Sequence, residues 1–270
     1  MIDARKVRVG LEIDGELRLF EDLHVKASGT KFSNPTQNDC SITITNLSAE
    51  TRAHILSAVG SQKSKDAIRL SLEVGRASLA YYRLFVGDII DATQTAPPDI
   101  GLSMKCKTNR QGNAKIIVEA EEDDIKLSEL SKKCADNNGL ELVFQAQDRL
   151  VAGYSFNGTA SQQIEYLQRI GGVSCFVDDG TLAVTKSEAP LSGRIRVLNI
   201  ASGLVGIPKR TPKGAQIQFL IDAETKIGGV VTLESKSDQT LSGDYRVAEL
   251  KFDIDTHGEA FFYTIEGVRI

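Results

Sequence analysis

Tryptophan is absent from this chain of 270 residues, methionine occurs only twice, histidine three times and cysteine four times. Without an indole ring, a carbohydrate site loses its preferred stacking surface. No run approaches the roughly 18 consecutive apolar residues that a spanning helix needs. The opening MIDARKVRVGLEIDG has neither the apolar core nor the cleavage pattern of a signal peptide. The four cysteines, Cys40, Cys106, Cys134 and Cys175, lie far apart, with no Cys-x-x-Cys pair. Each falls in an apolar periodic pattern, which reads as a reduced core thiol rather than a disulfide or zinc ligand. Synthesis and folding in a reducing cytoplasm are therefore expected. Thirty-two basic residues against 36 acidic ones give a formal charge of −4, which argues against a large basic footprint for nucleic acid and leaves room for a locally basic loop.

What the chain does have is alternation with a period of two. Val7, Val9, Leu11 and Ile13 alternate with Arg8, Gly10, Glu12 and Asp14. The pattern recurs at Cys40, Ile42 and Ile44, at Ile68 to Val74, at Leu102, Met104 and Cys106, at Leu250 to Ile254 and at Phe261 to Ile265. Alternate side chains of a strand share a face, so clean alternation predicts antiparallel sheets with one dry and one wet side. A short helix interrupts the first β region, capped by Ser48, facing inward through Ile55, Leu56 and Val59 and closing at Gly60.

The middle has a different period. Leu127, Leu130 and Cys134 mark one face of a helix that stops at Asn137-Asn138-Gly139, and a strand follows over Leu140 to Phe144. Thr159 and Gln162 have capping-box spacing ahead of Ile164, Leu167 and Ile170, with Gly171-Gly172 as the stop. Asp179-Gly180 then predicts a tight hairpin turn. The fold class expected is mainly β with a smaller α+β part, divided as 1–118, an inserted α+β unit 119–188, and 189–270. The stretch from Ala189 to Gly214 reads as a surface connection carrying a basic loop, Lys209-Arg210-Thr211-Pro212-Lys213.

Enzymatic constellations are missing from the sequence. There is no phosphate-cradling glycine loop, no His-Glu-x-x-His and no Gly-x-Ser-x-Gly. Ser28 to Lys31 fits Ser-x-x-Lys, but the partner motifs of acyl transfer are absent. His24, His54 and His257 are scattered, with nothing in the sequence to pair them as acid or base. Glu121 to Asp124 lacks the glycine and ligand spacing of a calcium loop and reads as a solvated face ahead of a helix. No catalytic, cofactor-binding or metal residues are assigned, and no enzyme activity is expected.

The order of motifs carries a resemblance. Asn34-Pro35 leads into a strand from Cys40 to Thr45, then Asn46-Leu47 and a helix from Ser48. Gly203, Leu204, Gly206 and Pro208 precede a strand and a Gly228-Gly229 turn. Gly243, Tyr245 and Val247 open the closing strands, which bend at Thr256-His257-Gly258. In this order the chain resembles the baseplate hub proteins of contractile-tailed bacteriophages over nearly its whole length. That resemblance implies two tail-tube-like β-barrel domains flanking the insert. It also implies a homotrimeric ring of pseudo-sixfold symmetry between the tail tube, or its initiator, and a central spike protein. The tape-measure protein and baseplate wedge components are further expected partners, and DNA would pass the lumen without specific binding. The implied location is the virion tail baseplate, after synthesis in the host cytoplasm. Candidate contact residues are Asn34, Pro35, Thr36 and Gln37 in one turn, and Pro208, Lys209 and Arg210 in the basic loop. Equivalent hubs of contractile bacteriocins or secretion spikes, or a β-rich ligand-binding protein, are the alternatives.

Overall fold

The computed structural model describes residues 4–13, 15–60, 68–77, 79–109 and 115–270. Asp14, the last member of the first alternation, lies outside them. The chain divides into two compact units, one of residues 1–30, 38–108 and 252–262, the other of residues 31–37, 109–251 and 263–270.

The first unit is an antiparallel sheet. Its strands are β1 (Arg5–Ile13), β2 (Glu16–Glu21), β3 (Val25–Phe32), β4 (Asp39–Thr45), β5 (Arg69–Arg76), β6 (Leu79–Gln94) and β7 (Gly101–Lys107). They lie in the order β2-β1-β5-β6-β7-β4-β3. Register explains the alternation: Val9 faces Leu72, Leu11 faces Leu70, and Ile42 faces Met104 across adjacent strands. All six are at most 1% exposed, so one face is a dry core. Helix α1 (Ala49–Gly60) packs against β6. Its start is capped as expected: Ser48 Oγ accepts from the Thr51 amide at 3.0 Å.

A polar knot closes this unit. Asp255 Oδ1 accepts from the amides of His257 and Gly258, each at 3.0 Å, and meets His24 Nε2 at 3.0 Å. Lys26 lies 3.3 Å from the other oxygen. Burial works against the ionised carboxylate. The His257 amide, His24 and Lys26 outweigh it and bring the pKa from 3.8 to about 2. A lowered carboxyl pKa adds stability that is present above the unfolded value and lost as pH falls through the folded one. The stability gap between the native chain and Asp255→Asn should therefore shrink as pH falls from about 4 to about 2. Urea midpoints followed by circular dichroism across that range check it, and a constant gap would remove the Asp255 carboxylate from the acid response.

The second unit contains the α+β part and a further sheet. The α+β part is built from β8 (Ile116–Ala120), β9 (Ile125–Lys126), α2 (Leu127–Asn137), β10 (Glu141–Gln145), β11 (Leu150–Val151), β12 (Ser155–Thr159), α3 (Ala160–Gly171), β13 (Val173–Asp178) and β14 (Thr181–Lys186). Leu127, Leu130, Cys134, Ile164, Leu167, Cys175 and Val184 share one buried cluster drawn from residues 117–184. The capping box at Thr159 and Gln162 is formed in both directions. The hairpin turn is also in place: Asp178 pairs with Thr181, and Asp179 and Gly180 take φ values of 47° and 89°. Two positive φ values define the turn whose twist matches paired strands, which is why aspartate and glycine serve there.

The further sheet holds β15 (Arg196–Leu198), β16 (Leu204–Thr211), β17 (Gly214–Leu220), β18 (Val230–Leu233), β19 (Gly243–Asp255) and β20 (Phe261–Arg269), of which residues 252–255 and 261–262 belong to the first unit. The order β16-β17-β20-β19 is joined by β18, which pairs with β19 and with β15. A mainly β fold with a smaller α+β part is thus what the chain adopts. Among the described residues no closed barrel is found: the strand order is that of open sheets, with β2 and β16 each paired on one side only. Period-two alternation reports a dry face, not whether a sheet closes on itself.

Candidate protein-contact site

The turn Asn34 to Gln37 stands on a charged foundation. Lys31, just before it, is 5% exposed, and its ammonium donates to Asp178 Oδ1 and Asp179 Oδ2, each at 2.7 Å. Burial pulls the Lys31 pKa down, but the two carboxylates more than reverse this, and it stands above the ordinary lysine value. Two residues on, Ser33 donates its amide to Ala248 O at 3.0 Å and accepts from Arg246 Nη1 at 3.1 Å. Arg246 is 7% exposed and also pairs with Glu188. Inside the turn, Asn34 Oδ1 accepts from the Thr36 amide at 2.8 Å. On the exit side, Gln37 Nε2 donates to Asn109 O at 3.3 Å. Asn109 Nδ2 in turn reaches Asn138 Oδ1 at 2.8 Å and Ser161 Oγ at 3.1 Å, at the facing ends of α2 and α3. Asn34 and Thr36 stay exposed, while Pro35 and Gln37 are half-buried. The result is a small polar knuckle on an anchored base, a shape suited to protein contact.

Pro208, Lys209 and Arg210 require a correction. They lie within strand β16, not in a loop. Pairing with β17 shifts between Val205 and Lys209, so Gly206, Ile207 and Pro208 bulge from the ladder, with Gly206 at φ 67°. Bulges and loops draw on the same glycine and proline chemistry, which is why the sequence reads as a loop. Pro208 is buried, and Lys209 is exposed. Arg210 is exposed but engaged, donating to Thr240 Oγ1 at 2.6 Å with Asp238 at 3.9 Å. The true turn is Pro212-Lys213, between Thr211 and Gly214. Beside it a groove of about 290 Å³ is bordered by Lys213, Gln216, Glu249, Lys251 and Glu266. Its charges have both signs and it is no apolar concavity of the kind that holds small ligands.

Other motifs resolve into structure. Ser28 is exposed and Lys31 is consumed by its aspartates. His24 and His257, far apart in sequence, meet edge to face with centroids 4.4 Å apart. Aligned strand ends bring them together, a juxtaposition that local sequence does not encode, and Asp255 serves to tie the turn. Among the described residues no group of three or more His, Cys, Asp or Glu is placed to hold a metal. The four cysteines are buried without disulfides, and burial raises the Cys106 and Cys175 thiols to about 12. Lys31 and Arg246, buried cations beneath the turn, are not marked by any motif in the sequence. The signal available for Lys31 is its inward place in the series Val25, Ala27, Gly29, Lys31.

The family described as baseplate hub gp41 matches residues 6–267. The chain belongs to this baseplate hub family. The family is a structural one of phage tails, not an enzyme family, and it places the chain in the tail baseplate in association with other tail components. No curated protein sequence matches. Among solved structures, the 43 kDa tail protein of prophage MuSo2 from Shewanella oneidensis is similar with a TM-score of 0.62 at 11% identity, over 97% of this chain and 98% of that one. The tail protein from Neisseria meningitidis MC58 gives 0.63 at 10% identity, over 97% and 96%. The Escherichia coli c3393 protein, a component of the type VI secretion system, gives 0.62 at 7% identity, over 96% and 76%. At such identities the likeness is one of fold. Among the described residues no helix is long and apolar enough to cross a membrane.

Proposed function

We propose that this baseplate hub chain is a symmetry adaptor: three copies form a ring of pseudo-sixfold symmetry that joins the tail tube to the central spike. The observation that carries the reading is the family match over residues 6–267. Two β regions, 1–118 and 189–270, with the α+β insert of 119–188 between them, would give a trimer six sheet regions to set against a sixfold tube. The separate buried cluster of residues 117–184 supports treating the insert as its own small domain. In such a ring, function lies in surfaces rather than in a pocket. The anchored knuckle of Asn34, Pro35, Thr36 and Gln37 and the strand edge of Pro208, Lys209 and Arg210 are the proposed contacts to neighbours. The tape-measure protein and wedge components are further partners, DNA slides through the lumen unbound, and the chain is made in the host cytoplasm before assembly.

The test is light scattering of the full chain, alone and mixed with the spike and tube proteins of the same tail. A mass of about 88 kDa, three times the 29.3 kDa chain, is expected alone or on adding spike. A monomer that ignores both partners overturns the adaptor reading.

A further inference from the structure

Two sheet edges of this chain are complementary in charge, and each exposes aliphatic side chains that a solvated strand would not need. Among the described residues strand β2 pairs with β1 alone. It carries Leu17 and Leu19, 63% and 52% exposed. Both leucines stand on the face of the sheet where Gly10 leaves room: a Cβ there would lie 3.1 Å from Leu17 and 3.3 Å from Leu19. Around them the segment from Glu16 to Asp22 holds three carboxylates, Glu16, Glu21 and Asp22, against Arg18, with Arg8 of β1 lying 3.5 Å from Glu21. Strand β16 likewise pairs, among the described residues, with β17 alone. Ile207 on its bulge is 71% exposed, and Ile200, in the 3-10 turn that leads into it, is 69% exposed. Here basic residues lead: Lys209, Arg210 and Lys213 lie within five residues, Arg210 leaning toward Asp238 while Lys209 and Lys213 stay exposed.

Open strand edges invite pairing, and proteins that do not use them blunt them with charge, proline or a bulge. The β16 edge has a bulge and Pro208, which confine backbone pairing to the strand's two ends and leave specificity to the side chains. Exposed aliphatics flanked by opposite charges on two different edges suit a heterologous, head-to-tail contact between copies, the kind of contact that forms a ring when the rotation from copy to copy closes. Resting on the ring reading above, we infer that the β2 edge of one copy docks on the β16 edge of the next. In that contact Leu17 and Leu19 meet Ile200 and Ile207, while Glu16 and Glu21 face Lys209 and Lys213.

The experiment uses the full chain in three variants: Glu16→Lys with Glu21→Lys, Lys209→Glu with Lys213→Glu, and all four changes together. Self-association is measured by sedimentation and light scattering at low and at physiological salt, alone and with spike protein. Each two-residue variant should associate at least about tenfold more weakly than the native chain, since like charges then oppose one another. The four-residue variant, with the charges exchanged, should recover most of the loss. Recovery also shows that the substitutions do not act by unfolding the chain. Trimers of native affinity in both two-residue variants, or no recovery in the combined one, overturn the edge contact and leave the ring intact. Normal trimers that lose only tube or spike binding assign the edges to another partner and overturn it too. A native chain that stays monomeric under every condition removes the ring reading and this contact with it.

Discussion

Replacing Lys31 with methionine is expected to lower unfolding stability by about 3 kcal/mol, the lower end of the range for breaking a buried ion cluster by removing one partner. The lower end applies because Asp178 and Asp179 keep 20% of their side-chain surface in contact with solvent, while Lys31 keeps 6%. Methionine fills much of the lysine stem's volume, so the loss is electrostatic: two carboxylates at the tip of the β13–β14 hairpin lose their cation. Adding Asp178→Asn and Asp179→Asn should return about half of the stability, because neutral amides remove the uncompensated charge. Asparagine also tolerates the positive φ at residue 179. The sign of the pH dependence follows from the raised Lys31 pKa. Its contribution is complete below the ordinary value of 10.5 and is lost only as pH rises toward the higher folded value. Urea denaturation from pH 6 to 9 should show a constant gap between native and variant chains. A gap under about 1 kcal/mol would mean that the cluster only offsets its own desolvation. Because the turn at Asn34 to Gln37 rises from this base, the variant should also weaken any partner that reads the knuckle.

The features legible in the sequence are those set by neighbours in sequence. Alternation placed Val7 to Ile13, Cys40 to Ile44 and Leu102 to Cys106 on dry faces, because the pleat alone decides which side a residue takes. Ser48, Thr159 with Gln162, and Asp179-Gly180 marked two helix starts and a hairpin, because caps and tight turns are local chemistry. What could not be read depends on strands meeting. Lys31 reaches Asp178 across 147 positions, and His24 reaches Asp255 across 231. A lysine in the inward series of β3 signals that a counter-charge must exist, but not where along the chain it comes from. Bulge and loop were confused at Gly206 to Pro208 because both use the same residues. Whether a sheet closes on itself depends on how its first and last strands meet, which alternation does not report. Of the candidate site, the knuckle residues could be named from an Asn-Pro turn, whereas the base that fixes them could not.

Gly29→Ala is the second change expected to have a large effect, and it acts through packing alone. A Cβ at residue 29 would stand 2.4 Å from the carbonyl oxygen of Asp39 and 2.4 Å from the Phe252 ring, itself 2% exposed. Neither neighbour can yield cheaply: the carbonyl belongs to β4, paired to β3 and β7, and the ring fills the core beside Phe85. Overpacking of this kind costs up to about 3 kcal/mol. Gly139→Ala supplies the contrast. There nothing lies within 4 Å, but φ is +65°, so the cost is conformational and about 1 kcal/mol. If the Gly29 effect is steric, adding Phe252→Leu should return only the ring's share, because the Asp39 contact persists. Thermal and urea unfolding of the three variants decide the point. Equal losses at Gly29 and Gly139 would show that β3 and β4 can move apart to admit a methyl group. A threefold greater loss at Gly29 would mark the β3–β4 pair as rigid.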